Sequence, residues 1–353
     1  MNQKKTVLTI IVPSFNMEKL LPRCLSSLVV NAEHMKMFEV LVVNDGSSDR
    51  TSEIAHRYSE LYPDVFRVID KQNGHYGSCV NEGLKQAEGT FVKILDADDA
   101  FDSIVFSRFL DFLSKEPVLQ TADLVLTGYC EVTEAGEVYK QVQFHNYDGP
   151  FRLGDLVAED RCKWFIHGLT YRRENLKKIQ YIQSEGLPYT DHEWAFVPLT
   201  AVNTIFSFDG ILYRYSVGRD GQSVDPEQHA KNLSMEVKVI ESMLRHYDKM
   251  TKMEDMSDQL FIEEQLQGNV ENIYLMYLMW LSRYVTSMEP LKKFDSFLLE
   301  KYPEIYSRTN LFRTRIAGIG FHTIKNWRAG RMNMVKAQNM LYRLVDKLNT
   351  LRK

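Results

Sequence analysis

Phe91-Val92-Lys93-Ile94-Leu95-Asp96-Ala97-Asp98-Asp99 decides the reading of this chain. The run from Phe91 to Leu95 is short for a helix and suits a strand buried on both faces, and three carboxylates follow within four positions. Acids so crowded repel one another unless a cation neutralises them, and hard oxygen donors suit Mg²⁺ or Mn²⁺. Such a group can hold a divalent metal against a pyrophosphate. A helix N-cap with solvated acids is the competing account of Asp99 or Asp102. A calcium-binding EF-hand loop is excluded, because Phe101 falls where that loop requires glycine.

Outward from this strand, the first 130 residues alternate apolar runs with amphipathic ones. Strands are expected over 7–12, 39–43, 66–69, 91–95 and 124–127, and helices over 19–30, 51–61, 78–86 and 103–113. That alternation specifies an α/β domain with a parallel sheet covered on both faces. Ligands of open sheets gather at the carboxyl ends of strands, and each polar motif here falls at one. Val43-Asn44-Asp45-Gly46-Ser47-Ser48-Asp49 follows the second strand. Gly46 permits a tight turn and Asp45 can accept from a base N–H or a ribose hydroxyl, while a turn with an N-cap explains the same residues. Pro13-Ser14-Phe15-Asn16 ends the first strand, where Phe15 either stacks on a flat base or follows a strand-terminating proline turn. Asn73-Gly74-His75-Tyr76-Gly77-Ser78 is a polar loop before a helix carrying Asn81 and Gly83, and helix N-termini attract phosphate. It is neither GxGxxG nor a P-loop, and no GxSxG, HExxH or cysteine-histidine zinc spacing appears.

From about 131 to 225 the pattern breaks into short aromatic-rich pieces with a hairpin-like turn at Ala135-Gly136, the second half of the same domain. Beyond Pro226, Leu233, Val237, Ile240, Leu244 and Tyr247 recur at helical spacing. The chain therefore divides into residues 1–225 and a helical region, 226–353, expected to stay helical to its end and basic from about 312. A length of 353 residues fits a core plus an appendage. Cys24, Cys79, Cys130 and Cys162 are widely separated and Met1-Asn2-Gln3-Lys4-Lys5 is polar, so a reducing, cytoplasmic setting is expected. The apolar run 273–281 is shorter than the roughly 20 residues of a membrane span. Net charge is -4, yet residues 312–353 hold ten Lys/Arg against Asp346 alone. Such a block suits an anionic surface, though a solvated helix face explains it equally.

Taken in order, Pro13 to Asn16, Asn44 to Asp49, Asn73 to Gly83, Asp96 to Asp98 and Tyr189-Thr190-Asp191-His192-Glu193-Trp194 resemble the motif series of the family 2 glycosyltransferases, over about residues 5 to 225. The resemblance implies a GT-A fold, a Rossmann-like α/β domain that binds a nucleotide sugar. It further implies an inverting transfer from a nucleotide-diphosphate sugar, with a lean to UDP, to a hydroxyl of a glycan or glycolipid. Carried onto this chain, Asp45 would contact the donor base, Asp96 the ribose or the metal, and Asp98 the metal, Mn²⁺ or Mg²⁺. Pro13, Phe15, Asn16, Asn73, Gly74 and Asn81 would complete the donor pocket. Asp191 would be the general base that takes the acceptor proton, while the metal holds charge developing on the departing diphosphate. His192, Glu193 and Trp194 would line the acceptor pocket, a buried aromatic being the other account of Trp194.

The departures are specific. Asn44 stands where the family has Asp, Thr190 replaces the Glu of an acidic pair, and Cys79-Val80 replaces Ala-Arg. The QxxRW of processive synthases is absent, which implies transfer of one or a few sugars. Tyr213-Arg214-Tyr215 and Arg219-Asp220-Gly221-Gln222-Ser223 resemble a polar segment that closes over the donor, with Arg219 a mobile cation for the diphosphate, or else an ordinary surface loop. Leu341, Leu344, Leu348 and Leu351 share a helix face with Arg343, Lys347 and Arg352 off it. Such a helix lies on an anionic bilayer, packs on its own domain, or forms a homodimer. Nucleic acid is disfavoured, since the basic block has no recognised motif. Two rivals remain. A sugar nucleotidyltransferase would want a glycine-rich basic loop where Pro13 to Asn16 stands, and a non-catalytic nucleotide-sugar or glycan binder would lack the base. By analogy the setting is bacterial surface polysaccharide or glycolipid assembly at the inner face of the membrane.

Overall fold

β1 (Leu8–Ser14) is buried along its whole length, as a strand with partners on both edges and layers on both faces must be. It pairs in parallel with β2 (Phe38–Asn44) and β4 (Phe91–Ile94), and β2 pairs in parallel with β3 (Phe66–Asp70). α1 (Leu21–Ser26), α2 (Thr51–Leu61) and α3 (His75–Gln86) make the crossovers. Ser14, Asn44 and Asp70 stand in register, so the carboxyl ends of three parallel strands share one rim. The computed structural model describes residues 6–133, 135–218, 225–250 and 253–350.

Past β4 the sheet becomes mixed. β5 (Ala100–Phe101), β6 (Leu124–Val132), β7 (Val138–Val142), β8 (Leu169–Arg172) and β9 (Ile205–Ser216) complete the order β3-β2-β1-β4-β8-β6-β9-β5, with β7 paired to β6. The β6–β7 turn carries Gly136 at φ +82°, the left-handed conformation that its Ala-Gly sequence announced. α4 (Ser103–Ser114), α5 (Glu116–Thr121), α6 (Ala158–Arg161), α7 (Arg173–Lys178) and α8 (Asp191–Phe196) fill the connections. Phe38, Phe66, Phe91, Phe106 and Phe109 are fully buried in the core against the sheet, Phe38 and Phe106 edge to face at 5.0 Å. Asp102 caps α4 by accepting from the amides of Ile104 and Val105, which settles the choice between cap residues in its favour over Asp99.

Three local details depart from expectation. α1 ends at Ser26, short of residue 30. α3 begins at His75 and not at 78, and its first turn lies against the chain around Ser184: a Cβ on Gly77 would stand 2.0 Å from the Ser184 carbonyl oxygen. Lys93, within β4, is wholly buried. Its ammonium donates to the carbonyls of His167 (2.8 Å) and Leu169 (3.3 Å) on the neighbouring segment, and burial lowers its pKa to about 7.

The chain forms two compact units, Met1–Arg219 with His246–Ile262, and Asp220–Arg245 with Glu263–Lys353. The C-terminal elements are α9 (Pro226–Lys249), α10 (Met256–Leu275), α11 (Glu289–Lys301), α12 (Pro303–Thr309), α13 (Thr323–Arg328) and α14 (Met332–Thr350). The expectation of helix to the end is corrected by a hairpin, β10 (Thr314–Ile316) and β11 (Ile319–Phe321), whose turn residues Ala317 and Gly318 both have positive φ. Two left-handed residues form the turn that matches strand twist. In this second unit the Arg328 guanidinium donates to Asp295, Tyr274, Thr309, Asn310 and the Tyr306 carbonyl at 2.7–3.0 Å. Among the described residues no helix is long and apolar enough to cross a membrane.

Candidate active site

Asp45, directly after β2, is buried and its carboxylate accepts from Lys71 (2.7 Å) and from the Gly74 amide (2.9 Å). Its own amide donates to the Ser14 carbonyl at 2.8 Å, tying the ends of β1 and β2. Asn44 is occupied in the turn, donating to Asp70 (2.7 Å) and accepting from the Ser47 amide. Asn16, at φ 54°, accepts from the Ser48 amide at 2.8 Å, so the first two motifs hold each other. Pro13 lies within β1 opposite Val43, whereas Phe15 is exposed beside it. Gly46 has φ +71° and an added Cβ would stand 3.1 Å from the Asn73 amide nitrogen, so this turn and the Asn73-Gly74 loop need the glycine to meet.

The first turn of α3 joins this corner to the acids after β4, for Gly74 holds Asp45 while the Tyr76 hydroxyl donates to Asp96 at 2.8 Å. Asp96 and Asp98 are half-buried and Asp99 is fully buried. Asp99 accepts from the Tyr213 hydroxyl and the Ser216 amide, both at 2.7 Å, and the Tyr213 oxygen in turn accepts from the Asp96 amide. Arg23 donates to the Asp98 carbonyl and to the Ser216 hydroxyl, fixing the acidic loop from the far side. Burial first, then the charges of Asp98 and Asp191, pushes the Asp96 carboxyl up to about 7, against the hydrogen bond from Tyr76. Asp99 is pushed well up by burial and by Asp98 and Asp96. Carboxylates that resist ionising together are relieved by a divalent cation, so the donor set fits one.

His167, just before β8, reaches the same place from a distant part of the chain. One ligand atom each of Asp96, Asp99 and His167 lie within 4.8 Å of one another. Its ring stacks on Tyr215 at 4.5 Å, and burial, then the Lys93 charge, lowers its pKa to about 3, so the imidazole is neutral at pH 7.

Asp191 opens α8, half-buried, and stands near enough for its charge to raise the pKa of both Asp96 and Tyr76. The loop before it is fastened to α3. Asn81 donates to the Gln183 carbonyl and Glu185 and accepts from the Gln183 amide, all at 2.9 Å. Glu193 accepts from the amide (2.6 Å) and hydroxyl (2.7 Å) of Ser184, and Gln183 donates to Thr190 at 2.9 Å.

The structure thus gathers Asp45, Asp96, Asp98 and Asp191 on the carboxyl-end rim. It turns three other expected site residues to different work. Asn81 is engaged in anchoring the Asp191 loop, Glu193 is buried in the same task, and Trp194 is fully buried between Tyr171 and Tyr181. Trp194 therefore offers no surface to an acceptor, and the buried-aromatic account applies. His192 stays half-buried beside Asp191. Arg219 lies outside the described residues. Sequence reading passed over Lys71, Tyr76, Arg23 and His167. A lone cation at a strand end marks Lys71, but nothing local marks His167, which meets the acids only through the β4–β8 pairing.

Residues 9–179 match the family model described as glycosyl transferase family 2. A Mycoplasma pneumoniae relative, "Uncharacterized glycosyltransferase MG025 homolog", is 38% identical over 51% of this chain and 60% of its own length. "Uncharacterized glycosyltransferase EpsJ" of Bacillus subtilis is 29% identical over 52% of this chain and 53% of its own. The chain thus spans little more than half the length of these two curated relatives. In fold it is similar to S. aureus TarS 1-349 in complex with UDP-GlcNAc, with a TM-score of 0.55, 20% identity and coverage of 89% of this chain and 96% of that one. It is also similar to the mannosyltransferase PcManGT from Pyrobaculum calidifontis in complex with GDP-Man and Mn²⁺, with a TM-score of 0.51, 13% identity and coverage of 98% and 87%.

Proposed function

We propose, from the match of residues 9–179 to the family 2 glycosyltransferase model and the geometry of the rim, that this chain transfers a sugar, with inversion, from a nucleotide-diphosphate sugar to a hydroxyl of a glycan or glycolipid. The observation that carries the reading is the approach of Asp191 to Asp96: the charge of a carboxylate at the head of α8 reaches the acid after β4 and raises its pKa. Inverting transfer asks for that pairing, with a base on the acceptor side facing a diphosphate-binding group on the other.

Asp45, bracketed by Lys71 and Gly74, is assigned to the donor base, with Pro13, Phe15, Asn16, Asn73 and Gly74 forming the wall around it. Asp96 and Asp98 are assigned to a divalent ion, Mn²⁺ or Mg²⁺, which when bound supplies positive charge to the departing diphosphate. Asp191 takes the acceptor hydroxyl proton onto its carboxylate as that oxygen attacks. Tyr76 orients Asp96, and the Asn81 and Glu193 contacts hold the base loop in place. A UDP donor is favoured, since one fold neighbour is described in complex with UDP-GlcNAc, although the other holds GDP-Man. Residues 1–225 are assigned to catalysis. The basic region from about 312 is assigned to contact with an anionic membrane bearing a lipid-linked acceptor.

The test is release of free nucleoside diphosphate from UDP-, GDP- and dTDP-sugars with Mn²⁺ or with chelator, comparing wild type with Asp98→Ala and Asp191→Asn. One donor should be cleaved only with metal, and each variant should lose roughly 10²-fold or more. Nucleotide binding without cleavage, candidate acceptors included, would support a non-catalytic binder and remove Asp191 from the mechanism.

A further inference from the structure

We infer that His167 is a metal ligand, joining Asp96 and Asp99 in a mixed nitrogen and oxygen site that favours Mn²⁺ over Mg²⁺. The inference rests on the reading above only in taking the acidic loop as the seat of a divalent cation. Its own support is geometric. Donor atoms of the three side chains lie within 4.8 Å of one another. In an octahedral shell with bonds of about 2.1 Å, neighbouring donors are roughly 3 Å apart and opposite ones roughly 4.2 Å. Small side-chain rotations therefore bring the three onto one ion.

The second observation is independent of the acids. His167 is only 9% exposed, and its Nδ1 has no hydrogen-bond partner. Buried polar atoms are almost always paired, so an imidazole with an unpaired nitrogen, in a ring that also offers a donor atom to Asp96 and Asp99, has capacity left for a ligand. The ring is also held firmly. It packs on Tyr215 at 4.5 Å and Tyr213 at 4.7 Å, and its backbone carbonyl is bound by buried Lys93. Each Asp99 oxygen accepts one hydrogen bond, from Tyr213 or from Ser216, and retains a lone pair for a cation. Mn²⁺ is the weakest imidazole binder of the first-row divalent series, but Mg²⁺ is harder still, demands near-ideal oxygen geometry and keeps its water, so one nitrogen in the set discriminates against Mg²⁺.

The test reads the metal directly. Wild type, His167→Phe and His167→Gln are loaded with Mn²⁺ and inorganic pyrophosphate, a nitrogen-free stand-in for the donor diphosphate. Binding is followed by the EPR signal of free Mn²⁺, and the ¹⁴N modulation of bound Mn²⁺ by pulsed EPR. The expected result is imidazole modulation in wild type, its loss in both variants, and a fall of roughly tenfold or more in Mn²⁺ affinity with Mg²⁺ affinity little changed. His167→Phe keeps the aromatic packing, and circular dichroism checks the fold of both variants. If neither variant folds, the wild-type spectrum decides alone, because an absence of ¹⁴N modulation overturns the assignment. Modulation that persists in a folded variant overturns it too. Donor cleavage by wild type is scored separately: cleavage without a nitrogen signal removes only His167, and a nitrogen signal without cleavage removes only the transferase reading.

Discussion

Replacing Gly77 by alanine tests whether α3 sets the position of Asp191. The new Cβ would stand 2.0 Å from the Ser184 carbonyl oxygen and 2.9 Å from its carbon, both backbone atoms. Such contacts settle at about 3.5 Å, so helix and loop must part by roughly 1.5 Å at the carbonyl oxygen. The Asn81, Gly74 and Glu193 bonds all cross or brace this seam, so the displacement passes to Thr190 and Asp191. Two effects on stability oppose each other. Overpacking costs about 1–3 kcal/mol, and removing a helical glycine returns about 1 kcal/mol, leaving a loss of about 0–2 kcal/mol. Activity has no such offset, since misplacing a catalytic group by about 1 Å costs on the order of 10²-fold in rate. Nucleoside diphosphate release at saturating donor, with thermal melting alongside, measures both. A variant with an unchanged melting temperature and kcat within about threefold of wild type would show that the α3 seam does not position the base.

Gly268→Ala, in α10 with nothing within 4 Å of the new Cβ, should instead stabilise the chain by up to about 1 kcal/mol without touching kcat, and calorimetry would show it. Arg328→Lys cannot reproduce the planar fork that serves Asp295, Tyr274, Thr309, Asn310 and the Tyr306 carbonyl. It should cost about 3 kcal/mol, seen as a lower urea midpoint, and a loss under about 1 kcal/mol would contradict that account. Glu271 has its pKa raised to about 7 by burial, despite a hydrogen bond from Gln267. Because the folded value lies above the unfolded one, the penalty is absent below about pH 4.3 and grows to its full size as pH rises through 7. Glu271→Gln should therefore stabilise the protein by about 1 kcal/mol or more at pH 8 and by little at pH 4, as melts at the two pH values would report.

The parallel half of the sheet was legible because strands buried on both faces leave unbroken apolar runs. β1 to β4 fall within a few residues of where those runs place them. The acids at their ends were legible for the same reason, Asp45 and Asp96 each falling within two residues of the last apolar residue of a strand. Side-chain direction was not legible. Glu193 and Trp194 lie two and three residues past Asp191, but a helix turns successive residues by about 100°, so α8 leaves Asp191 and His192 half-buried and buries the two that follow. Asn81 and Gly83 read as a ligand motif, yet Gly83 admits Ile11 of β1 with an added Cβ only 2.6 Å away, and Asn81 clasps the Gln183 loop. Those partners lie far off in sequence and no local pattern encodes them. The hairpin at Ala317-Gly318 carries the same Ala-Gly pair as the turn at Ala135-Gly136, and the expectation of helix to the end passed over it.

The burial of Lys93 has a consequence for the chain while it is still being made. Its acceptors, the carbonyls of His167 and Leu169, follow it by 74 and 76 residues. During synthesis at about 5–20 residues per second, β4 therefore waits roughly 4–15 s as an uncovered sheet edge. A row of apolar residues there would invite pairing with other nascent chains, and an inward-pointing charge is how proteins discourage it. By this reasoning the ammonium that seals β4 to β8 would act first as a gatekeeper. Ribosome-bound chains halted near residue 160 should aggregate more with Lys93→Met than with Lys93, and equal aggregation would limit Lys93 to its place in the finished fold.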